Sequence, residues 1–297
     1  MKSLLHWRVA RPPLKIEHGA SYYGIATGLS QGRMDLAATT VGNYALFGGG
    51  SISSGKSSVV DAYSSSLVRS IPTVLYKPRQ YLAATTVGNY ALFGGGSTSS
   101  FMDAYDTSLV MSSVPITLSQ NRNYLAATTV GNYALFGGGG ISSGDSSVVD
   151  AYSASLVRST PTALSQGRRA LAATTVGDYA LFGGGLVSYH IQSTVDAYDT
   201  SLVRSTPKAL SQSRGFFAAT TVGNYALFGG GNISSSNSYS STVDAYDTSL
   251  VRSTPKALSQ GRRALAATTV GNYALFGGGG EYSSLDTFDV VDVYCVN

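Results

Sequence analysis

Apolar and polar residues alternate along this chain in short runs, and no stretch shows the 3.6-residue apolar period of a helix. The recurrent string Thr-Thr-Val, Gly-Asn, Tyr-Ala-Leu-Phe predicts two strands joined by a two-residue hairpin, because both turn positions need or tolerate positive φ. In the second strand Tyr44 and Leu46 fall on one side, and Ala45 and Phe47 on the other. Apolar residues on both sides predict a sheet covered on both faces. Three glycines then end the strand and open a loop rich in Ser and Gly. Val-Asp-Ala-Tyr, at 60–63 and 195–198, predicts a third strand. The segment Ser-Leu-Val-Arg-Ser closed by Thr-Pro, as at 201–207, predicts a fourth. Proline suits an outer edge, where one side of the ladder has no partner.

These elements repeat. The string AATTVGNYALFGGG starts at Ala37 and returns at Ala83, Ala126, Ala172 (with Asp178 for Asn), Ala218 and Ala266, at spacings of 46, 43, 46, 46 and 48 residues. The hairpin glycines are Gly42, Gly88, Gly131, Gly177, Gly223 and Gly271. A period in the forties belongs to helical pairs or to propeller blades, and the strand chemistry chooses blades. Six repeats of four strands predict an all-β fold: a six-bladed β-propeller of four-stranded antiparallel blades over residues 20–297, with 1–19 as an amino-terminal arm. The chain stops at a third strand, Val291-Asp292-Val293-Tyr294. The segment around 21–26 is therefore expected to supply the missing strand and close the ring, hiding two sheet edges.

The order Arg, hairpin, Gly-Gly, variable loop, Val-Asp-Ala-Tyr-Asp and outer strand resembles the kelch repeat, over about residues 20–297. Val-Arg-Ser stands where that family has a Trp in the outer strand. Near-identical copies of this kind resemble those of bacterial surface or prophage-encoded proteins.

Composition narrows the classes. Charged residues are 12% of the chain, about half the usual ~25%, while 43% hydrophobic residues and no Gly-X-Y period exclude a disordered or collagenous chain. No apolar run reaches the ~18 residues of a spanning helix. Cys295 is the one cysteine, which excludes a disulfide scaffold and a multi-cysteine metal site. The start MKSLLHWRVARPPLK is interrupted by His6 and Arg8 and lacks a small-residue cleavage site, so it does not read as an export signal. Localisation stays open between cytoplasmic and surface- or phage-associated.

Candidate chemistry is sparse. Gly50 to Ser57 matches G-x-x-x-x-G-K-S, but that motif needs a helix after the loop, and here a strand is predicted. The equivalent loop carries Asp145 where Lys56 stands, so chance in a Gly/Ser loop is the better account. His6, His18 and His190 sit at unrelated repeat positions, which builds neither a metal site nor a catalytic base. Asp61, Asp103, Asp150, Asp196, Asp244 and Asp292 recur once per repeat, as expected of a blade-building hydrogen bond. Arg33, Arg79, Arg122, Arg168, Arg214 and Arg262 each lie nine residues before a hairpin glycine. By the kelch resemblance this is the loop into each inner strand, so the six would surround one channel mouth, bracing blades through carbonyls or facing a ligand. The net charge is +4, and without these six the chain would carry −2, which assigns its basic balance to the ring. No basic stripe interleaves with aromatics, so nucleic acid is a poor fit.

The variable loops hold Tyr189, His190, Tyr239 and Tyr282 among Ser and Gly, a mixture suited to recognition on a rigid scaffold. The expected function is a non-enzymatic module that needs no cofactor. It would bind a protein or glycan, or an acidic ligand, through the loop face and the arginine ring. A propeller enzyme acting on a sugar or anionic small molecule is the runner-up. It would need residues breaking the six-fold sameness near the channel, where the sequence shows only isolated departures such as Lys77-Pro78. A structural repeat domain of a larger protein is the third reading.

Overall fold

A computed structural model describes residues 26–233, 238–281 and 288–296. It is all-β, a six-bladed β-propeller of antiparallel sheets. Blade 1 runs outward through Ala37–Val41, Tyr44–Gly48, Val60–Ser64 and Arg69–Ser70. Blade 2 follows with Ala83–Val87, Tyr90–Gly94, Ser99–Tyr105 and a longer outer strand, Ile116–Arg122. Blades 3, 4 and 5 repeat the first, with inner strands Ala126–Val130, Ala172–Val176 and Ala218–Val222. Blade 6 has three strands among the described residues: Ala266–Val270, Tyr273–Gly277 and Val291–Cys295. Of the expected closing segment at 21–26, all but Ala26 lies outside the described residues, and Ala26 is not in a strand.

The hairpin forms as its sequence demands. Each turn glycine takes a left-handed φ of 50–53°, a conformation without steric cost for glycine alone. The register then places Leu46 opposite Ala62 and Phe47 opposite Asp61. Every blade thus presents a Leu face on one side and a Phe face on the other, and in blades 1 to 5 the Leu face packs on the Phe face of the next. Between blades 1 and 2, for example, Val41, Leu46, Val60 and Ala62 pack against Ala91, Phe93 and Tyr105. Four further clusters of the same composition fill the interfaces from blade 2 through blade 6.

The glycine that ends each second strand lets the faces meet. A Cβ on Gly48, Gly94, Gly137, Gly183 or Gly229 would sit 2.7–3.0 Å from the next blade's Phe ring. Threonine hydroxyls add a polar tie at 2.8–2.9 Å, Thr39 to Thr86 being the first of five. Main-chain bonds complete the set, from Gly50 N to Arg79 O and at the four equivalent positions, 2.7–2.8 Å. Between blade 6 and blade 1 none of these contacts is made among the described residues. Gly277 meets only Val291, and Val270, Val291 and Val293 are 56%, 53% and 50% exposed.

Candidate functional site at the channel mouth

Each repeated arginine closes a buried unit inside its own blade. Arg168 donates from Nη1 to the carbonyls of Gly184 (2.8 Å) and Thr194 (2.6 Å), and from Nη2 to Asp196 (2.5 Å). Arg33 makes the same set with Gly49, Val59 and Asp61. Arg79, Arg122, Arg214 and Arg262 pair with Asp103, Asp150, Asp244 and Asp292. All six guanidinium side chains are 0–1% exposed. Burial lowers the pKa of Arg79, Arg122, Arg168 and Arg214, and the paired carboxylate opposes that shift. The other carboxylate oxygen accepts a backbone N–H from the strand entering the blade, as Asp150 does from Ser119. A tyrosine two residues on, Tyr152, donates its hydroxyl to Thr117 O.

The arginines therefore sit near the mouth in sequence but turn their charge into the blade. The bracing is within a blade for the side chain and between blades for the main chain, whose carbonyl accepts from the previous blade's glycine. Their six charges are matched by six aspartates, so the chain's +4 belongs to other residues.

Two positions after each arginine the chain turns outward into the channel. Asp35, Tyr81, Tyr124, Ala170, Phe216 and Ala264 occupy this position, and all six take left-handed φ values of 51–58°. A main-chain necklace joins them: each N–H donates to the carbonyl of the preceding blade's residue, from Tyr81 to Asp35 through Ala264 to Phe216, at 2.9–3.0 Å. Six non-glycine side chains thus face the channel in a conformation that costs about 1–2 kcal/mol each, Asp tolerating it best. They line a cavity of about 700 Å³ together with Leu36, Leu82 and their equivalents.

This ring does not repeat as the strands do; its six positions hold four residue types. Tyr81 stacks on Tyr124 with centroids 4.0 Å apart, and Tyr124 meets the Phe216 ring edge to face at 5.9 Å. The Arg263 guanidinium lies 5.0 Å from the Phe216 centroid. Partial burial raises the pKa of the Asp35 carboxyl, with Tyr81 and Arg263 opposing.

The variable loops flank the same opening. Their small hairpins bridge back to the residue after each arginine, Asn123 to Gly140 and Arg169 to Leu186 among them. Arg169 pairs with Asp145 of the neighbouring loop at 2.7 Å and lies 4.6 Å from the Tyr189 centroid. Asp145 also accepts from Ser188 N at 2.8 Å, so two loops are pinned together. Of the loop residues singled out in the sequence, Tyr189 joins this cluster, 80% exposed. His190 is exposed in the hairpin of blade 4, with its backbone carbonyl accepting from Gln192. Tyr239 is half-buried in a bridge with Asn232, and Tyr282 lies outside the described residues. Lys56 is exposed in a hairpin that leads into the strand Val60–Ser64, which leaves the phosphate-loop match without its helix.

No family model matches the chain, and no curated protein is similar to it.

Proposed function

We propose that this protein is a non-enzymatic recognition module of kelch-like type, binding a protein or glycan ligand at the channel mouth. The carrying observation is the variable ring of Asp35, Tyr81, Tyr124, Ala170, Phe216 and Ala264, set in a scaffold that is otherwise nearly the same six times over. The left-handed backbone of this ring is the same in all six blades, while the side chains that it presents to the channel change. Aromatic faces at the mouth suit the apolar face of a pyranose or an aliphatic side chain, and Arg263 and Arg169 supply donors for an acidic group. The buried arginine ring serves as scaffold beneath this surface.

A glycan array probed with the full chain tests the reading. Binding should fall at least tenfold in Tyr124→Ser and stay unchanged in Lys208→Gln, on the outer loop after blade 4. Equal loss in both, or retention in Tyr124→Ser, would place the ligand elsewhere.

The second reading, a propeller enzyme, draws support from Asp35. It is a carboxylic acid on the wall of the channel cavity, near Tyr81, where a general acid would need to stand. Loss of turnover on an array-selected sugar in Asp35→Asn, with binding retained, would favour it.

A further inference from the structure

The contacts that join blades recur five times and stop at one place. Phe rings cover the glycines of blades 1 to 5, yet no ring from blade 1 reaches Gly277. The Thr–Thr tie would next join Thr268 to Thr40, and the necklace would next run from Asp35 N to Ala264 O; neither bond forms. The two ends of the arc nevertheless carry the two halves of the same interface. Blade 6 offers the Leu face, with Ala266, Val270, Leu275 and Val291. Blade 1 offers Ala45, Phe47 and Tyr63, all half-buried where their counterparts in blades 2 to 5 are buried. The ends also lie close, because Asp35 of blade 1 and Ala264 of blade 6 line the same cavity. The channel cavity extends into this gap, where Ala38 and Phe47 form one wall and Ala266 and Ala267 the other.

One residue distinguishes the open interface from the sealed ones. The third strand of blades 1 to 5 carries Ala62, Ala104, Ala151, Ala197 and Ala245 on the Leu face, each 0–4% exposed. Blade 6 carries Val293 there. Two added methyls at a position that is fully packed in every sealed interface overfill the joint. Tethering in one chain, with the ends already near, keeps the effective concentration of the two faces high and favours their meeting.

We propose that the seam between blades 6 and 1 is a gate: it closes through a sixth copy of the blade interface, shutting the side arm of the channel cavity, and Val293 biases it toward opening. The inference stands independently of what the channel binds. A disulfide reads the gate directly, since the Thr hydroxyl pairs of sealed interfaces are close enough for cysteines to bridge. In a full-length Cys295→Ser background, Thr40→Cys with Thr268→Cys is oxidised beside a control pair, Thr128→Cys with Thr175→Cys.

Both pairs should crosslink within one chain, the seam pair more slowly, and adding Val293→Ala should speed the seam pair several-fold without changing the control. Crosslinking the seam should also lower the fluorescence of an apolar dye bound at the cleft. A seam pair that stays reduced while the control oxidises, that crosslinks only between two chains, or that ignores Val293→Ala overturns the proposal. Where the cysteine pair disturbs folding, Val293→Ala alone still decides: amide exchange across 266–277 should slow, and unchanged exchange refutes the gate.

Discussion

Arg168 and Ala170 are two residues apart and belong to different worlds. The first position holds arginine in every blade, turned inward onto an aspartate and, in blades 1 to 5, at least two carbonyls. The second holds Asp, Tyr, Ala or Phe, turned outward over the channel in a left-handed backbone. The inward position admits one solution, because a buried guanidinium needs a carboxylate and carbonyls at fixed places. The outward position meets solvent and neighbours that do not repeat, so it is free to differ. Identity among the repeats thus marks where the blade holds itself together, and difference marks where it faces something else.

Alkaline pH should break the inward half most completely. Burial, with the nearby aspartate adding to it, raises the hydroxyl pKa of Tyr105, Tyr152, Tyr198 and Tyr246. A folded-state pKa above the unfolded value of about 10 gives stability that is full below that pH and is lost above it. The melting temperature should therefore hold up to about pH 10 and then fall steeply, with tyrosinate absorbance rising in the same transition. Tyrosinate that appears well before unfolding would contradict the burial of these rings.

Removing one brace comes next. Arg168→Ala leaves Asp196 buried with the partly exposed Arg204, 3.0 Å away, as its remaining cation, and should cost about 3 kcal/mol in urea unfolding. Arg168→Lys should lose a smaller part, since an ammonium keeps the charge but cannot fork to two carbonyls and a carboxylate. Equal losses would mean that charge alone matters.

A smaller effect separates sealed joints from the open one. Gly137→Ala places a Cβ 2.7 Å from the Phe182 ring, which should cost about 1–3 kcal/mol. Gly277→Ala meets only Val291 at 3.4 Å and should stay within about 0.5 kcal/mol of the parent. A matching cost at both glycines would mean that the sixth joint is shut in solution.

The smallest change tests the outward half. Ala264→Gly relieves a φ of 53° while freeing the unfolded chain, so stability should stay within about 0.5 kcal/mol, on the stabilising side. A clear loss would show that the Ala264 methyl packs more than it strains.

Much of the fold was legible because strands, turns and repeats are written locally. The Gly-Asn hairpin, the two apolar faces and the six starts at Ala37 through Ala266 need no distant partner to be read. Blade 2 was less so: its outer strand spans Ile116–Arg122, pairing Ile116 with Met102 and Thr117 with Phe101, and Met111 stands where blades 1, 3, 4 and 5 have Arg69, Arg158, Arg204 and Arg252. The direction of the arginines was not legible from spacing alone, because a turn has no two-residue side-chain alternation. The available signal was the aspartate recurring 24–30 residues after each arginine, which cancels the ring charge within each blade. The channel ring left a signal too, in the residues following each arginine, where Met34-Asp35, Gln80-Tyr81, Asn123-Tyr124 and Gly215-Phe216 all differ and only Arg169-Ala170 and Arg263-Ala264 agree. Position-by-position difference is easily passed over in a chain whose likeness is so conspicuous.

The sameness of the five sealed joints has a consequence for how the molecule finds its order. A Leu face that fits the Phe face of its own neighbour fits any other blade's equally well, so the surfaces carry no address. Blade 3 would accept blade 5 as readily as blade 4. Sequence order is enforced only by the short connectors, and chains at high concentration are exposed to exchange of blades with one another during folding. The same indifference makes blade number a soft variable: excising one whole 46-residue repeat would leave two new neighbours whose surfaces already match.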